Sequence, residues 1–299
     1  MQETESIWFN GKLVGWQDAK IHVLTHTLHY GGGAWEGIRF YKTDKGPAIF
    51  RLSDHVARLF YSAGVLKMPV PYSKEEITQA IIDVVRVNKL EEGYIRPIAF
   101  YGYTNMGVNP RGNPIQLAIA CWPWGTYLKH KIVNIKTSKY IRIHPGSTVI
   151  DAKLSGHYLN GILASLELEG TSYDEALFLD SHGKISEGAG ENFFFVKNNI
   201  LSTPPRGTML PGITRNTATQ IADYLKIEFT EKELNLEEAY QVDEAFFTGT
   251  AAEITPIRSI DDHLIGQGEE GVITAKIKKT FLDIVHGRNT DFIKFLTFI

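Results

Sequence analysis

The hydrophobic positions near the N-terminus predict a β-hairpin and two amphipathic helices. The run Ile7–Trp16 is typical of a hairpin, because an Asn-Gly dipeptide at its centre supplies a two-residue turn. Ser53 is expected to cap a helix that extends to about Leu66. Ser73 is expected to cap a second helix, and Glu76 stands at the spacing of a capping box. The apolar faces comprise Val56, Leu59, Phe60 and Ala63 in the first helix, and Ile77, Ile81, Val84 and Val85 in the second.

The rest of the pattern mixes strands and helices without regular βαβ alternation, which favours an α+β fold over a doubly wound sheet. The pattern of residues changes near Pro123, which indicates a linker at residues 124–132. This linker separates an N-terminal domain of residues 1–123 from a C-terminal domain of residues 133–299. The predicted strands are Tyr94–Tyr103, Gln116–Trp122, Val133–Thr137, Glu175–Leu179, Lys184–Ser186, Asn192–Val196, Glu244–Thr248 and Glu253–Ile260. The further predicted helices are Leu154–Leu168, Thr214–Leu225 and Val272–Val285.

Composition excludes several classes of function. The 299 residues are 43% hydrophobic, which is enough for a buried core. A formal net charge of −3 without a basic cluster argues against a nucleic-acid partner. No apolar stretch is long enough for a transmembrane helix, and no secretory signal is recognisable. Cys121 is the only cysteine, so the expected location is the reducing cytoplasm.

Two glycine-containing turns are candidates for binding an anion. In the segment LPGITR, Ile213 and Thr214 open a helix whose first amides lack intrahelical partners, so they could bind a phosphate together with the Thr214 hydroxyl. An ordinary threonine N-cap is the alternative. In GTAAE, the small residues Gly249 to Ala251 expose backbone amides, and Thr250 adds a hydroxyl. A tight turn without a ligand explains that segment equally well.

Two charged residues have sequence contexts that suit catalysis. Lys153 follows a stretch with few charges, so its amine could be desolvated and nucleophilic, although a lysine at a helix start is usually exposed. Glu187 precedes Gly188-Ala189-Gly190, which runs into a strand and therefore is not a dinucleotide fingerprint. A solvated loop glutamate is the simpler interpretation of Glu187 taken alone. The spacing of His22, His26 and His29 is a weak signal for metal, and we expect no metal site.

Taken together and in this order, the motifs resemble the branched-chain aminotransferases, a class IV group of pyridoxal-phosphate enzymes with fold type IV. The matching segments are LHYGGGAWEGIRFY, RLSDHVARL, GYIRPIAFYG, GVNP, AKLSGHYLN, DSHGKISEGAGENFF, LPGITR and GTAAEITPI. The resemblance covers residues 7 to 285. It implies a smaller N-terminal α/β domain and a larger C-terminal pseudo-barrel domain joined by a short loop, in a homodimer or higher homo-oligomer.

The resemblance implies that pyridoxal 5'-phosphate is the cofactor and assigns roles around it. Lys153 would bond to the cofactor and move a proton during catalysis. Glu187 would bind the ring nitrogen and keep it protonated, and Tyr158 would donate a hydrogen bond to the phenolic oxygen. The phosphate would be bound by Arg58, by the turn and helix start at Leu210, Gly212, Ile213 and Thr214, and by Gly249 and Thr250.

The resemblance also implies the substrates: L-leucine, L-isoleucine and L-valine, with 2-oxoglutarate and L-glutamate as the second pair in a ping-pong reaction. Arg96 would pair with the γ-carboxylate of glutamate, while Tyr94 and the Ala251 amide would bind the α-carboxylate. The other substrate-binding positions are Trp35, Gly37, Tyr127 and Thr250, with Tyr30, Met106 and Val108 from a neighbouring subunit.

Two departures and three alternatives remain open. Trp35 stands where phenylalanine is more usual, and His157 where asparagine is common, so the preferred side chain could differ. A D-amino-acid or (R)-amine aminotransferase, and an aminodeoxychorismate-lyase-type enzyme, share the fold and cofactor. The pair Tyr94 and Arg96 with GTAAE favours the L-branched-chain interpretation. The alternative from another class is a binding protein without catalytic activity.

Overall fold

A computed structural model describes residues 1–125, Leu128 and residues 130–299. Its strands are β1 (Ser6–Phe9), β2 (Lys12–Gly15), β3 (Gly33–Trp35), β4 (Ile38–Thr43), β5 (Gly46–Phe50), β6 (Gly93–Tyr101), β7 (Ile115–Trp122), β8 (Val133–Ile141), β9 (Glu175–Leu179), β10 (Ile185–Gly188), β11 (Asn192–Lys197), β12 (Ile200–Thr203), β13 (Phe229–Glu231), β14 (Glu244–Gly249), β15 (Glu253–Ile260), β16 (His263–Leu264) and β17 (Leu296–Phe298). Its α-helices are α1 (His26–Tyr30), α2 (Leu52–Val65), α3 (Lys74–Val87), α4 (Leu159–Glu167), α5 (Ile213–Tyr224), α6 (Leu236–Ala239) and α7 (Val272–Val285). In the part of the chain so described, no helix combines the length and the apolar character needed to cross a bilayer.

The chain divides into two compact units. The first contains Met1–Gly125, Ala152–Gly156 and Ile284–Ile299, and the second contains the described residues of 126–151 together with His157–Asp283. The sequence-based division assigned the second and third of these segments to the C-terminal domain. They belong to the first unit because Leu154 forms a β-bridge with Ala34 and β17 pairs with β5. Chain order alone does not reveal such long-range pairing.

The first unit is built on an antiparallel sheet in the order β17-β5-β4-β6-β7-β1-β2, with β3 also paired to β6. The predicted hairpin is confirmed: β1 and β2 pair, and Asn10 and Gly11 both have positive φ, as the tight hairpin turn requires. The apolar stripes of α2 and α3 pack against sheet residues in one core. Core members from the sheet include Ile38, Phe40, Ile49, Ile95, Leu117 and Ile119.

The sheet of the second unit closes on itself. Its order is β10-β9-β8-β15-β14-β11-β12-β13, and an additional pairing of β10 with β11 joins the two ends of the first six strands. The closing pair is Glu187 opposite Asn192. This closed arrangement confirms the pseudo-barrel that the family resemblance implied. Its apolar core includes Val133, Ile135, Leu177, Phe193, Phe195, Phe247 and Ile257.

The predicted helices exist, but some of their starts differ. The Ser73 capping box is confirmed, because the Ser73 hydroxyl accepts a hydrogen bond from the Glu76 amide at 3.1 Å. Ser53 is not a cap: α2 begins at Leu52, after Arg51 in the left-handed conformation with φ of 51°. The prediction of a helix start at Leu154 was also wrong, since α4 begins at Leu159.

These two serines allow a direct test of the capping box. Ser73→Ala removes the acceptor for the Glu76 amide, so we expect a loss of about 1 kcal/mol in the free energy of unfolding. Ser53→Ala is the matched control, because Ser53 is an exposed residue in the first turn of α2 and alanine favours helix. Urea unfolding of both variants measures the difference. Equal destabilisation by the two substitutions would contradict the assignment of the caps.

Candidate active site

The backbone of Lys153 is fixed by two elements of the first unit. Its amide donates a hydrogen bond to the Ser62 hydroxyl of α2 at 2.9 Å, and its carbonyl accepts one from the Trp35 amide of β3 at 3.2 Å. The Lys153 ammonium lies 4.2 Å from the centroid of the Trp35 ring. The lysine therefore extends from an anchored backbone along an aromatic surface, which favours a defined position of its amine.

The environment of Lys153 makes its amine easier to deprotonate. Burial, followed by the positive charge of Arg58, lowers the pKa of Lys153 to about 8. Glu36 and Tyr94 act in the opposite direction, and Arg96 lowers the pKa further. Because only the neutral amine is a nucleophile, this shift places a reactive lysine near physiological pH. This environment agrees with the expectation that the amine of Lys153 is desolvated.

Arg58 is held by a buried carboxylate. Its Nε donates to Glu36 Oε1 at 2.6 Å, and its Nη2 donates to Glu36 Oε2 at 2.9 Å. His55 Nδ1 lies 2.7 Å from the same Oε2. Burial opposes ionisation of Glu36, but Arg58 and His55 outweigh it and hold the Glu36 pKa far below its usual range. For His55 burial prevails over its carboxylate partner and lowers the pKa.

A cationic side chain and three aromatic rings meet beside Gly37. The guanidinium carbon of Arg96 lies 4.1 Å from the Trp35 ring centroid, and Arg96 Nη2 lies 3.4 Å from the Tyr94 hydroxyl. The Tyr94 ring packs against Trp124 at 4.3 Å between centroids. A Cβ at Gly37 would overlap the Tyr94 hydroxyl, so a larger residue there would require the Tyr94 side chain to move. The group provides one positive charge within an aromatic surface.

Arg96 also borders a large cavity of the first unit. The cavity has a volume of about 680 Å³, and its other lining residues are mostly apolar. In the described part of the chain, the buried Nε of Arg96 has no hydrogen-bond partner. Buried polar atoms are normally paired, so this Nε is an exception, and among the described residues that line the otherwise mostly apolar cavity Arg96 is the one with a charged side chain. Lining residues that represent its character are Ile7, Phe9, Leu28, Ile98, Phe100 and Ala118.

Glu187 of the second unit is buried and fixed through both of its oxygens. Arg142 Nε donates to Oε1 at 2.5 Å, and Asn192 Nδ2 donates to Oε2 at 3.0 Å. The Leu210 amide also donates to Oε1, at 3.3 Å, and the Leu210 carbonyl accepts from Asn192. This contradicts the simpler interpretation of Glu187 as a solvated loop residue. A guanidinium partner favours the charged form of a buried carboxylate.

The two turns predicted to bind an anion contact residues close to Glu187 within the second unit. Helix α5 begins at Ile213, and Gly212 is its N-cap residue, so Thr214 lies inside the first turn rather than at the cap. A Cβ at Gly212 would overlap the Asn192 side chain, which ties the helix start to the partner of Glu187. Gly249 packs against the Gly190 carbonyl, where an added Cβ would lie at 3.3 Å. Thr250 and Ala251 form the turn that follows, and both are half-buried.

One buried hydroxyl near Glu187 is unsatisfied. Thr248 of β14 is directly opposite Asn192 of β11 in the sheet register, so their side chains are on the same face. Thr248 is 1% exposed, and within the described residues its hydroxyl has no hydrogen-bond partner. A buried hydroxyl without a partner costs free energy, so its position beside the Asn192–Glu187 pair suits a polar ligand.

Comparison with known proteins identifies the family. The family model described as amino-transferase class IV matches residues 33–260. The chain belongs to the class IV aminotransferase family. It groups with the branched-chain-amino-acid aminotransferases: the protein of that name from Pseudomonas aeruginosa is 45% identical over 286 residues, covering 94% of this chain and 93% of that protein. The Escherichia coli K12 protein of the same name is 43% identical over 296 residues, covering 97% and 96%.

Solved structures give the same result for the fold. The T.th. branched-chain amino acid aminotransferase, complexed with N-(5'-phosphopyridoxyl)-L-glutamate, has a TM-score of 0.96 and 41% sequence identity. The match covers 100% of this chain and 99% of that one. A second structure of the T.th. enzyme, complexed with 4-methylvaleric acid, has the same TM-score of 0.96. This protein is therefore an aminotransferase with fold type IV, as the motifs indicated.

The other predicted residues of this aminotransferase lie outside the groups described above. Tyr158 is half-buried at the end of a 3-10 turn that leads into α4. Tyr30, Met106 and Val108 are 45%, 47% and 81% exposed within this chain. Tyr127 lies outside the described residues. The assignments of these residues to the cofactor or substrate stay predictions.

The three N-terminal histidines of the aminotransferase contact backbone atoms. His26 Nε2 lies 2.8 Å from the Gly107 carbonyl, and His29 Nε2 lies 2.9 Å from the Val23 carbonyl. His22 Nδ1 accepts a hydrogen bond from the amide two residues on. Over the residues that the structure describes, no group of three or more histidine, cysteine, aspartate or glutamate side chains could hold a metal ion.

Sequence reasoning missed several residues that position this site. Arg142 and Asn192 bind Glu187, and Thr248 lies opposite Asn192. Glu36 and His55 hold Arg58. Arg142 could have been found, because an arginine within a mostly apolar stretch is rarely buried without a carboxylate partner. Glu36 is 22 residues from Arg58, and no periodicity in the sequence links them.

The lowered pKa of Lys153 predicts an unusual pH dependence of chemical labelling. In cofactor-free protein, acetylation of Lys153 by trace acetic anhydride should increase as the pH rises through about 8, because the ammonium is then converted to the reactive amine. An unperturbed lysine titrates at about 10.4. Quantitative mass spectrometry of the labelled peptides measures the midpoint, and Lys153→Ala confirms the peptide assignment. A midpoint above about 10 would rule out the desolvated amine.

Proposed function

We propose that this aminotransferase uses pyridoxal 5'-phosphate to transfer the amino group of L-leucine, L-isoleucine and L-valine to 2-oxoglutarate. The observation that carries the proposal is the group formed by Lys153, Trp35 and Arg96. A lysine with a pKa of about 8 and a single arginine both contact one indole ring. Such a group combines a nucleophilic amine with an anion-binding residue, which amino-acid transamination requires.

The residues present fit the cofactor. A lysine with a lowered pKa suits its aldehyde, and the fixed Glu187 carboxylate suits a protonated ring nitrogen. The unsatisfied Thr248 hydroxyl beside Asn192 is consistent with a polar ligand at Glu187. In this proposal Tyr158 binds the phenolic oxygen. The phosphate is bound by Arg58 and by the two turns, through Leu210, Gly212, Ile213, Thr214, Gly249 and Thr250.

Pyridoxal phosphate supplies an electron sink that stabilises negative charge developing at the substrate Cα. Lys153 would be the catalytic residue: its neutral amine would take the proton from the substrate Cα and deliver it to C4′ of the cofactor, which completes the transfer of the amino group. Glu187 maintains the positive charge on the ring nitrogen, and Arg142 and Asn192 keep its carboxylate in place. The two half-reactions follow one another at the same group, so the expected kinetics are ping-pong.

Substrate recognition must accept both an aliphatic and a charged side chain. Arg96 pairs with the γ-carboxylate of glutamate, while Trp35 and Gly37 line the part of the pocket that receives a branched aliphatic chain. Tyr94 and the Ala251 amide bind the α-carboxylate, and Thr250 and Tyr127 complete the pocket. The T.th. enzyme supports this proposal, because its structures include complexes with a phosphopyridoxyl-glutamate and with 4-methylvaleric acid.

Assembly into a homodimer or higher homo-oligomer in the cytoplasm is part of the proposal. Each unit has exposed apolar side chains that association would bury. In the first unit Val23, Leu28 and Val108 are 68%, 62% and 81% exposed. In the second, Leu159, Ile162 and Leu166 lie along α4 and are 60%, 55% and 54% exposed. In this arrangement Tyr30, Met106 and Val108 contribute to the substrate pocket of the neighbouring subunit.

A comparison of amino donors tests the proposal. Purified protein supplied with pyridoxal phosphate and 2-oxoglutarate should form L-glutamate from L-leucine and not from D-alanine. Borohydride should fix the cofactor on Lys153, and Lys153→Ala should abolish both fixation and transfer. Lys74→Ala, an exposed lysine at the start of α3, is the matched control and should retain both.

The other outcomes of this comparison identify the alternatives. Transfer from D-alanine or an (R)-amine alone would show that the D-amino-acid or (R)-amine hypothesis is right. Release of pyruvate from aminodeoxychorismate without amino transfer would indicate the lyase. Absence of both cofactor fixation and turnover in the wild type would indicate a binding protein.

Arg96 should discriminate between the two half-reactions. Arg96→Ala should slow the glutamate half-reaction at least about tenfold more than the leucine half-reaction, because only glutamate presents a side-chain carboxylate to the guanidinium. Single-turnover spectroscopy with each amino acid measures the two rates. Arg86→Ala, an arginine on α3 whose side chain is 55% exposed, is the matched control. Equal losses in both half-reactions would contradict the assigned role.

A further inference from the structure

The geometry points to Glu36 and His55 as positioning residues that fix the Arg58 guanidinium for the cofactor phosphate. This inference rests on the proposed function, which assigns Arg58 to the phosphate. It adds a buried relay, His55–Glu36–Arg58, as the reason why that arginine can discriminate a phosphorylated cofactor from one without phosphate. Neither Glu36 nor His55 contacts the cofactor in this scheme, since each acts through Arg58.

Glu36 fixes the orientation of the Arg58 guanidinium. Two N–H groups of the Arg58 guanidinium, at Nε and Nη2, bind the two oxygens of Glu36 at 2.6 and 2.9 Å. This bidentate contact fixes the plane of the guanidinium as well as its location. An arginine has five N–H donors in a rigid fork, so fixing two of them also fixes the directions of the other three. A lysine ammonium could not be oriented in this way.

Glu36 is itself held rigidly by its surroundings. Its side chain is 0% exposed, and its backbone amide donates to the Pro97 carbonyl of β6 at 2.9 Å. His55 and Arg58 are three residues apart on α2, so they project from the same face of the helix toward Glu36. His55 is 1% exposed and lies 2.7 Å from Glu36 Oε2. The carboxylate is therefore held between a strand end and a helix, with little freedom to reorient.

The charges of Glu36 and Arg58 balance each other, and His55 is neutral. Burial lowers the pKa of His55, so the ring is neutral near physiological pH and its Nδ1–H donates to the ionised Glu36. Glu36 and Arg58 then carry opposite unit charges. Because Glu36 already balances the charge of Arg58, the guanidinium contributes to phosphate binding mainly through the direction of its N–H donors. Loss of Glu36 would leave the Arg58 charge unbalanced and so strengthen its attraction to the phosphate, but it would also remove the contact that orients the guanidinium. We infer that the loss of orientation has the larger effect on phosphate binding.

The position of Glu36 in the chain links this group to Lys153. Glu36 follows Trp35, whose amide donates to the Lys153 carbonyl and whose ring lies 4.2 Å from the Lys153 ammonium. Arg58 lowers the pKa of Lys153, and Glu36 raises it. A change at Glu36 therefore has two separable consequences. One concerns the phosphate through Arg58, and the other concerns the protonation of the reactive amine.

The test compares pyridoxal 5'-phosphate with pyridoxal, which lacks the phosphate. Dissociation constants for both are measured on cofactor-free full-length protein by absorbance titration, for the wild type and for Glu36→Gln. We expect Glu36→Gln to weaken binding of the phosphorylated form by about tenfold or more and to change pyridoxal binding less than about twofold. The control is Glu175→Gln, a buried carboxylate of β9 in the second unit that burial keeps largely neutral below its pKa of about 7. It should leave both constants unchanged.

A second readout separates positioning from a general loss of structure. Glu36→Gln should lower the pH midpoint of Lys153 acetylation, because Glu36 raises that pKa in the wild type. A loosened first unit would instead move the midpoint upward, toward an exposed lysine. If Glu36→Gln does not fold, His55→Gln decides, with an expected loss of about threefold for the phosphorylated form alone.

The outcomes distinguish this inference from the proposed function. If the wild type binds neither pyridoxal phosphate nor pyridoxal, the proposed function fails. If the wild type discriminates between them and Glu36→Gln, or His55→Gln in its place, discriminates equally well, only the inference fails. A parallel loss of both affinities would also overturn it, since that result indicates a purely structural role.

Discussion

Closure of the sheet in the second unit depends on the pairing of Glu187 with Asn192, and a buried carboxylate lies at that junction. An ionised carboxylate cannot be buried without strong partners. Arg142, just past the end of β8, and the side-chain amide of Asn192 provide them. The same contacts that make closure tolerable therefore keep a negative charge fixed at the junction. The hydrogen bonds from Arg142 and Asn192 thus stabilise the closed sheet and also hold the Glu187 carboxylate in place.

The first unit also buries an ionised carboxylate, and different residues stabilise it. Glu36 is balanced by Arg58 and bonded to His55, whereas Lys153 lies along the Trp35 ring. Burial and the positive charge of Arg58 disfavour the ammonium form of Lys153, whereas Arg58 and His55 favour the ionised form of Glu36. The difference between these two environments accounts for their opposite behaviour, because the glutamate stays ionised while the lysine readily loses its proton.

Local features of the fold and site could be predicted from the sequence, and features that depend on distant pairing could not. The Ser73 capping box joins neighbours along one helix turn, so its chemistry is visible in the chain. Leu154 looks like the start of a helix, yet a bridge to β3 keeps it extended. Lys153 and Glu187 could be proposed as site residues because they lie in specific motifs, and the structure shows a lowered pKa at Lys153 and a fixed carboxylate at Glu187. Their supporting residues were missed, since Arg142 is 45 positions from its glutamate and no periodicity links the two.

The pairing of β17 with β5 has a consequence for the order in which the molecule can be completed. Leu296 lies opposite Phe50, so an edge of the first sheet is formed by residues that the ribosome adds after the whole second unit. Domains generally fold as they emerge during synthesis, beginning at the N-terminus. Here the first unit begins to fold early but must wait, with β5 open along one side, until the second unit and then β17 have been synthesised. That interval exposes an unpaired strand edge, where a nascent chain is most open to mispairing or to protection by a chaperone.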